Sequence, residues 1–514
     1  MTRRSLPIGI QTLRKIREGD CYYVDKTGFA LRLIAEGTHY FLSRPRRFGK
    51  SLFLDTLAEL FAGNEALFRD LEAEHRWDWS RRYPVIRLSF GGGVGRQPGE
   101  LDAKIGEQLA INQEALGISC AQPTLAGCFA ELIRKAHAAT SERVVVLVDE
   151  YDKPILDNIT DSVMARAMRD GLRNLYSVIK DSDADIRFAF LTGVSKFSKV
   201  SLFSGLNNLF DLTVSASYSA ICGYTETDLD RVFAPELAGL DRDQIRAWYN
   251  GYNWLGEAVY NPFDLLLLFR ERQFRPWWFE TGTPTFLVDV LTQRGFFTPR
   301  LAHLRADEAL LSAFDVDHLA PEALLWQTGY LTFTGSRQIG ARWEYSLGYP
   351  NLEVSAALND SLAKAFIGQP GQASELASRL YDILVVADVE ALRQHIASLF
   401  AAIPHQWHDT NPIARYEGYY ASVFYSHLAA LGLDLVPEDA SHQGRLDLRL
   451  RFNGHIWLFE FKVVELAPEG AALQQIKDKG YADKYRAEGL PIHLIGIEFS
   501  RERRSLVGFE VETQ

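Results

Sequence analysis

Cysteine is scarce in this chain: Cys21, Cys120, Cys128 and Cys222 are the four in 514 residues. None forms a C-x-x-C pair, so neither a disulfide framework nor a structural zinc site is expected. The four read as reduced, mostly buried thiols of a cytoplasmic protein. Long hydrophobic runs are missing as well. The longest apolar stretches, such as Leu265 to Phe269, fall far short of the ~20 residues that a membrane span requires. The basic start at Arg3 and Arg4 has no apolar run behind it, so neither a signal peptide nor a membrane partner is expected. Positive charge is not in excess. A net charge of −11 argues against nonspecific coating of nucleic acid, yet leaves room for a nucleic-acid enzyme with a local basic patch. Gly/Ser linkers, internal repeats and low-complexity tracts are also absent.

What is present is ordinary globular material, 47% hydrophobic and 24% charged, enough for about three domains at ~150 residues each. Residues 1–225 alternate short β-rich runs with helical stretches, the rhythm of an α/β domain. The strands are plainest at Tyr40 to Leu42, Val85 to Leu88, Val144 to Val148 and Phe188 to Leu191. Residues 226–345 are richer in helix and aromatics, with Trp248, Trp254, Trp277 and Trp278. Residues 346–411 read as a helical spacer, and residues 412–514 as helix, hairpin, helix and strand.

The run from Phe41 to Ser51, F-L-S-R-P-R-R-F-G-K-S, leads from a strand into a helix that starts near Lys50. Its end matches the phosphate-binding pattern G-x-x-x-x-G-K-[ST]. In that pattern backbone N–H groups surround a β-phosphate, here along Arg46, Arg47, Phe48 and Gly49. The Lys50 ammonium reaches the β/γ-phosphates and the Ser51 hydroxyl holds Mg²⁺. The first glycine is missing, because Arg44 stands in its place. A partner strand strengthens the reading: Val144 to Val148 is wholly apolar and ends in Asp149 and Glu150. Such a run fits a parallel strand buried on both faces, with its acids where nucleotides bind in open α/β sheets. Asp149 is then placed to hold Mg²⁺, directly or through water, and Glu150 to orient or deprotonate the attacking water. The plainer account is a solvated acidic turn. A third strand, Phe188 to Leu191, runs into Thr192 and Ser195, which read either as a sensor of a γ-phosphate or as a plain Ser/Thr-rich loop, with Lys196 and Lys199 following. Asp25 to Thr27 read either as nucleotide contacts or as a helix cap.

The most informative segment is Gly444 to Val463. Asn453-Gly454 between two alternating runs is a strong hairpin signal. With those two residues as the turn, Leu446, Leu448, Leu450 and Phe452 share a core face with Phe461, Phe459, Trp457 and His455. The opposite face sets Asp447 directly across from Glu460, with Cβ atoms about 4.5–5.5 Å apart. Like charges so opposed are destabilising unless a cation lies between them, and two carboxylates with waters suit Mg²⁺ or Mn²⁺. Lys462 projects from the same face, placed to orient a water or to stabilise transition-state charge. The rival account is an amphipathic hairpin with a solvated charged face. Flanking helices are positioned to bring Glu417 to the metal, and Gln475 and Lys479 to a scissile phosphate; the plainer account of each is a solvated helix position. His405 and His408 have a metal-ligand spacing, but they stand in what reads as a polar linker, and solvated linker histidines are the plainer account.

These residues together resemble a two-part prokaryotic architecture: an AAA-ATPase-like domain followed by a nuclease of the PD-(D/E)xK superfamily. The N-terminal likeness runs through Leu6 to Gly9, Tyr23 to Thr27, Arg44 to Ser51, Asp149 to Pro154, Gly251-Tyr252 and Tyr260 to Pro262. The C-terminal likeness lies in Gly444-Arg445, Asp447, Glu460 to Lys462 and Gln475, with Leu446 where the superfamily's name has proline. The resemblance implies an α/β multidomain chain: a RecA/AAA-like P-loop NTPase core, a helical or winged-helix-like lid, and a C-terminal αβββαβ restriction-endonuclease-like domain. It carries Glu417, Asp447, Glu460, Lys462 and Gln475 over as a nuclease site. The expectation is an ATP-dependent or ATP-regulated nuclease with Mg²⁺ or Mn²⁺, acting on nucleic acid with DNA foremost, and a homo-oligomer as one route of coupling. Defence against foreign DNA and mobile-element biology are the roles that fit. The rivals are a nucleotide-switched regulator whose nuclease fold only binds, and a pure ATPase acting on a partner protein.

Overall fold

A computed structural model describes residues 3–92, 97, 99–196, 208–280, 285–312, 314–315, 318–403, 417–441, 443–503 and 505–514. His405, His408 and Lys199 lie outside the described residues. The chain divides into two compact units, one of Met1–Trp278 with Arg305–Ser346, the other of Phe279–Leu304 with Leu347–Gln514.

The first unit contains, in order, α1 (Thr27–Glu36), β1 (His39–Ser43), α2 (Lys50–Phe61), β2 (Val85–Ser89), α3 (Glu100–Leu116), α4 (Leu125–Thr140), β3 (Val144–Asp149), α5 (Ser162–Asp181), β4 (Ile186–Gly193) and β5 (Phe210–Asp211). The five strands form one parallel sheet in the order β2-β3-β4-β1-β5. β3 is inner because Val144 to Val148 offer apolar side chains to both faces, and all five are fully buried. β4 separates the phosphate-loop strand from the acidic strand: Leu42 pairs with Thr192, and Val148 with Leu191. Parallel strands all end on one edge, so Ser43, Asp149 and Thr192 arrive there together. The aromatic region after 226 is not helical throughout. β6 (Leu304–Asp307), α6 (Pro321–Thr328), β7 (Thr332–Ile339) and β8 (Arg342–Gly348) include a three-stranded sheet in the order β6-β8-β7.

In the second unit three helices, α7 (Leu352–Ile367), α8 (Pro370–Val386) and α9 (Val389–Ala401), occupy the segment expected to be helical. There follow α10 (Glu417–Ala429), β9 (Asp434–Ser441), β10 (Gly444–Phe452), β11 (His455–Val464), α11 (Ala471–Asp478), β12 (Ile492–Ser500) and β13 (Ser505–Thr513). The sheet order is β9-β10-β11-β12-β13, antiparallel except between β11 and β12. A parallel pair needs a crossover, which α11 provides. Asn453 and Gly454 take left-handed φ values of 47° and 77°, as a two-residue primed turn demands. The ladder pairs Leu448 with Phe459 and Phe452 with His455, the register that this turn predicts.

Two features differ from the sequence reading. Part of the hairpin face opposite Leu448 and Phe459 forms a second core, which the sequence reading did not include, while Arg445 and Arg451 stay exposed. Ile456 and Leu458 are fully buried with Leu473, Ile476, Ile492 and Leu494, because the crossover helix lies over them. The first core packs on α10, where the Phe424 ring meets Phe459 at 5.1 Å and Phe461 at 5.3 Å. The sheet also carries β13 beyond the expected αβββαβ set. Its sequence S-L-V-G-F-E-V-E-T mixes glycine and acids, and the strand is mostly half-buried at the edge.

Candidate functional site

Two clusters of predicted residues form, one in each unit. In the first, the loop between β1 and α2 turns on Arg47 and Gly49, whose φ values are 68° and 92°. Arg44 explains the missing glycine. Its side chain leaves the loop for a closed pocket, where it is fully buried. Nη1 donates to Ser43 O at 2.8 Å and Thr213 O at 3.0 Å, Nη2 donates to Tyr218 O at 3.1 Å, and the guanidinium lies 3.9 Å from the Trp254 ring centre. Burial lowers its pKa to about 10, so it stays charged at neutral pH.

Aromatic residues hold the rest of the loop. Phe48 is buried against Tyr252 and Trp254, with ring centres 4.7 Å and 5.6 Å away, so its side chain is taken up by the core. Trp278 Nε1 donates to Arg46 O at 3.1 Å, and Arg47 lies 4.7 Å from the Phe263 ring centre. The Arg46 and Arg47 side chains are otherwise exposed. Lys50 is buried and its Nζ donates to Arg44 O and Pro45 O, both at 2.9 Å, so it already spans the loop's concave side. Burial depresses its pKa, opposed chiefly by the Asp149 and Asp152 charges. Ser51 follows, half-buried, in the first turn of α2.

At the end of β3, Asp149 Oδ1 accepts the Glu150 N–H at 3.0 Å. Glu150 adopts φ 50°, and burial, then the Asp149 charge, raises its pKa. The two candidate sensors separate here. Ser195 is committed, donating its N–H and its hydroxyl to Asp152 Oδ2, each at 2.6 Å. Thr192 Oγ1 is buried, with no hydrogen-bond partner among the described residues. Lys196 forms an ion pair with Asp211 at 2.6 Å. Asp25 stands two residues before the start of α1 and accepts Thr27 N–H at 2.8 Å and Thr27 Oγ1–H at 2.7 Å, while the N-cap residue, Lys26, pairs with Asp228 at 2.9 Å. Sequence reasoning missed Asp152 as the tie between the ends of β3 and β4. Its place in the D-E-Y-D run was the available signal.

The second cluster lies where the β10–β11 ladder stops. Past Leu448 and Phe459 the carboxylates replace backbone acceptors. Phe461 N–H donates to Asp447 Oδ2 at 2.8 Å, and Asp447 N–H points to Glu460 Oε2 at 3.4 Å. Glu460 is 1% exposed, and its Oε1 accepts from Lys462 Nζ at 3.3 Å and from the Gln475 amide, which is in close contact. Burial, then the Asp447 charge, pushes its pKa up to about 7, with Lys462 opposing. Gln475 gets this close because Gly496, in register with Glu460, has no Cβ to collide with the Leu473 backbone. Lys479 is exposed at the far end of α11. Glu417 is the first residue of α10, and its side chain lies outside those described.

The donor set fits a hard divalent cation. Two carboxylates face each other at a break in the ladder, one of them buried and reluctant to ionise, and a cation relieves both costs. No group of three or more His, Cys, Asp or Glu residues that could hold a metal occurs among the described residues, so waters and backbone oxygens would complete a shell around Asp447 and Glu460.

Comparison with known proteins agrees with this division. Residues 7–203 match the family model for a predicted AAA-ATPase, and residues 415–508 match that of the PD-(D/E)XK nuclease superfamily. The chain is 68% identical over 514 residues, the full length of both proteins, to "Uncharacterized protein in vnfD 5'region" of Azotobacter chroococcum mcd 1. No described helix is long and apolar enough to cross a membrane. The chain belongs to the family that joins a predicted AAA-ATPase domain to a C-terminal PD-(D/E)XK nuclease-superfamily domain.

Proposed function

We propose that this protein is an ATP-regulated, Mg²⁺- or Mn²⁺-dependent nuclease that hydrolyses phosphodiester bonds of DNA. The observation that carries the reading is the convergence of Asp447, Glu460, Lys462 and Gln475 at one break in a ladder, in a chain that also holds a phosphate loop. At the nucleotide site, Lys50 exchanges its two carbonyl contacts for the β/γ-phosphates. Ser51 and Asp149 hold the nucleotide's cation, Glu150 positions the attacking water and Thr192 reads the γ-phosphate. At the nuclease site, Asp447 and Glu460 would hold a divalent ion, which would supply Lewis acidity and make water there easier to deprotonate. Lys462 stabilises charge on the phosphate, and Gln475 holds Glu460 in one orientation. A division at about 225, 345 and 411, with a lid over the nucleotide, belongs to the same proposal, as does a cytoplasmic site of action.

The test is cleavage of plasmid, linear DNA and RNA with Mg²⁺ or Mn²⁺ by wild type and Asp447→Ala. Metal-dependent cutting that disappears in Asp447→Ala supports the reading. Wild type that hydrolyses ATP yet cuts none of the three substrates replaces it with a nucleotide-switched binding protein.

A further inference from the structure

We propose that Glu498 is a positioning residue of the carboxylate site, acting through Gln475; this rests on the metal-dependent reading given above. Glu498 lies on β12 in register with Lys462 of β11, and it is 2% exposed. Its carboxylate accepts four consecutive backbone N–H groups. Oε2 takes Glu469 N–H at 2.6 Å and Gly470 N–H at 3.1 Å, and Oε1 takes Ala471 N–H at 2.6 Å and Ala472 N–H at 3.3 Å.

These are the N–H groups that enter the first turn of α11 and have no acceptor within the helix. The cap position is Gly470, at φ 70°, which has no side chain to satisfy them. Glu498 therefore caps α11 from a neighbouring strand, and its negative charge sits at the positive end of the helix. A buried carboxylate is tolerated only when its oxygens are so occupied. The adjoining strands leave room for the arrangement. Gly508, its partner on β13, would place a Cβ 3.1 Å from both Glu498 Cβ and Oε2. Gly496, two residues before Glu498, admits the Leu473 backbone.

The first turn of α11 is thus fixed to β12 at two points, and Gln475 stands one turn further on. Its amide holds Glu460 Oε1, which leaves Oε2 turned toward Asp447. Glu498 sets the rotation of α11, α11 sets Gln475, and Gln475 decides which oxygen of Glu460 faces the other acid. Partners one step removed from a metal ligand govern its affinity in this way.

The test is Mn²⁺ binding to the full chain by titration calorimetry, with thermal unfolding of the same samples without metal. Wild type, Glu498→Gln, Gln475→Ala and the double variant are compared. Glu498→Gln keeps the shape but points an amide N–H₂ at N–H donors. It is expected to weaken Mn²⁺ binding about tenfold although Asp447 and Glu460 are unchanged. Because the two residues act in series, the double variant binds no more weakly than the worse single variant. Gly508→Ala, which crowds the Glu498 carboxylate without removing it, gives a milder weakening and serves where Glu498→Gln does not fold. A lowered melting temperature with Mn²⁺ affinity within twofold of wild type makes Glu498 a fold residue only and overturns the proposal, as do single effects that multiply in the double variant. Wild type that fails to bind Mn²⁺ removes the metal reading of Asp447 and Glu460, and this assignment with it.

Discussion

Asp447 and Glu460 meet where the β10–β11 ladder ends, with the Asp447 N–H directed at the Glu460 carboxylate 3.4 Å away. Two acids at that position strain the fold in the absence of a cation. Burial and the Asp447 charge hold the Glu460 pKa near 7, well above its ordinary value, so ionising Glu460 at neutral pH costs stability. Glu460→Gln is therefore predicted to stabilise the metal-free protein, by on the order of 1–3 kcal/mol, while abolishing Mn²⁺ binding and reducing cleavage by ~100-fold or more. Chemical denaturation and calorimetry check both halves. A destabilised Glu460→Gln that still binds Mn²⁺ contradicts the account.

Arg44 poses the opposite case, since restoring the general glycine is predicted to do harm. Arg44→Gly strips three carbonyls, of Ser43, Thr213 and Tyr218, of a charged donor and uncovers Trp254. A loss of about 2–4 kcal/mol and weaker ATP binding are expected. Urea unfolding beside a fluorescent-nucleotide titration measures both, and unchanged stability would show that the pocket contributes nothing.

The two sensor candidates predict different defects. Thr192→Val removes a hydroxyl without a described partner, so stability holds while the ATPase kcat falls about tenfold. Ser195→Ala deprives buried Asp152 of a 2.6 Å bond, and a loss of about 1–3 kcal/mol is expected. Equal loss of kcat in both variants with no difference in stability counts against the assignment.

A buried histidine pair predicts acid sensitivity. His395 on α9 and His427 on α10 bond Nε2 to Nε2 at 2.9 Å, one as donor and the other as acceptor. Burial depresses the pKa values to about 4 and about 3, against roughly 6.5 in the unfolded chain. Below about pH 6.5 the unfolded state takes up protons that the folded state refuses. Stability is thus complete above that pH and falls as pH drops toward 4, by at most about 1.4 kcal/mol per unit and histidine. Denaturant midpoints at pH 7.5, 6 and 5 follow the decline, and replacing both histidines with glutamine flattens it. An equal slope in that double variant assigns the acid sensitivity to other groups.

Legibility in the sequence followed the distance between partners. Asn453-Gly454 and the period-two pattern around it brought Asp447 and Glu460 together, because a two-residue turn fixes the pairs up to Leu448 and Phe459, one step short of the two acids. The apolar run ending in Asp149 marked an inner parallel strand, because a strand buried on both faces must be apolar throughout. The Arg44 pocket was not legible: Thr213, Tyr218 and Trp254 lie some 170 to 210 positions away, and no local rule joins them to the loop. The residue pattern alone did not show β9, whose D-L-V-P-E-D-A-S combines proline with acids, although the αβββαβ resemblance implied a strand before the hairpin; it persists as an edge strand paired with β10. Glu498 reads as one charge in an apolar strand until α11 is laid beside it.

The measurement closest to the central claim is relaxation and linearisation of a closed-circular plasmid at fixed Mg²⁺, with and without ATP, by wild type, Lys50→Ala and Asp447→Ala. The account predicts ATP-responsive cutting by wild type, loss of that response in Lys50→Ala and no cutting by Asp447→Ala under either condition. Cutting that persists in Asp447→Ala, or that is equal with and without ATP in wild type and Lys50→Ala alike, would contradict it.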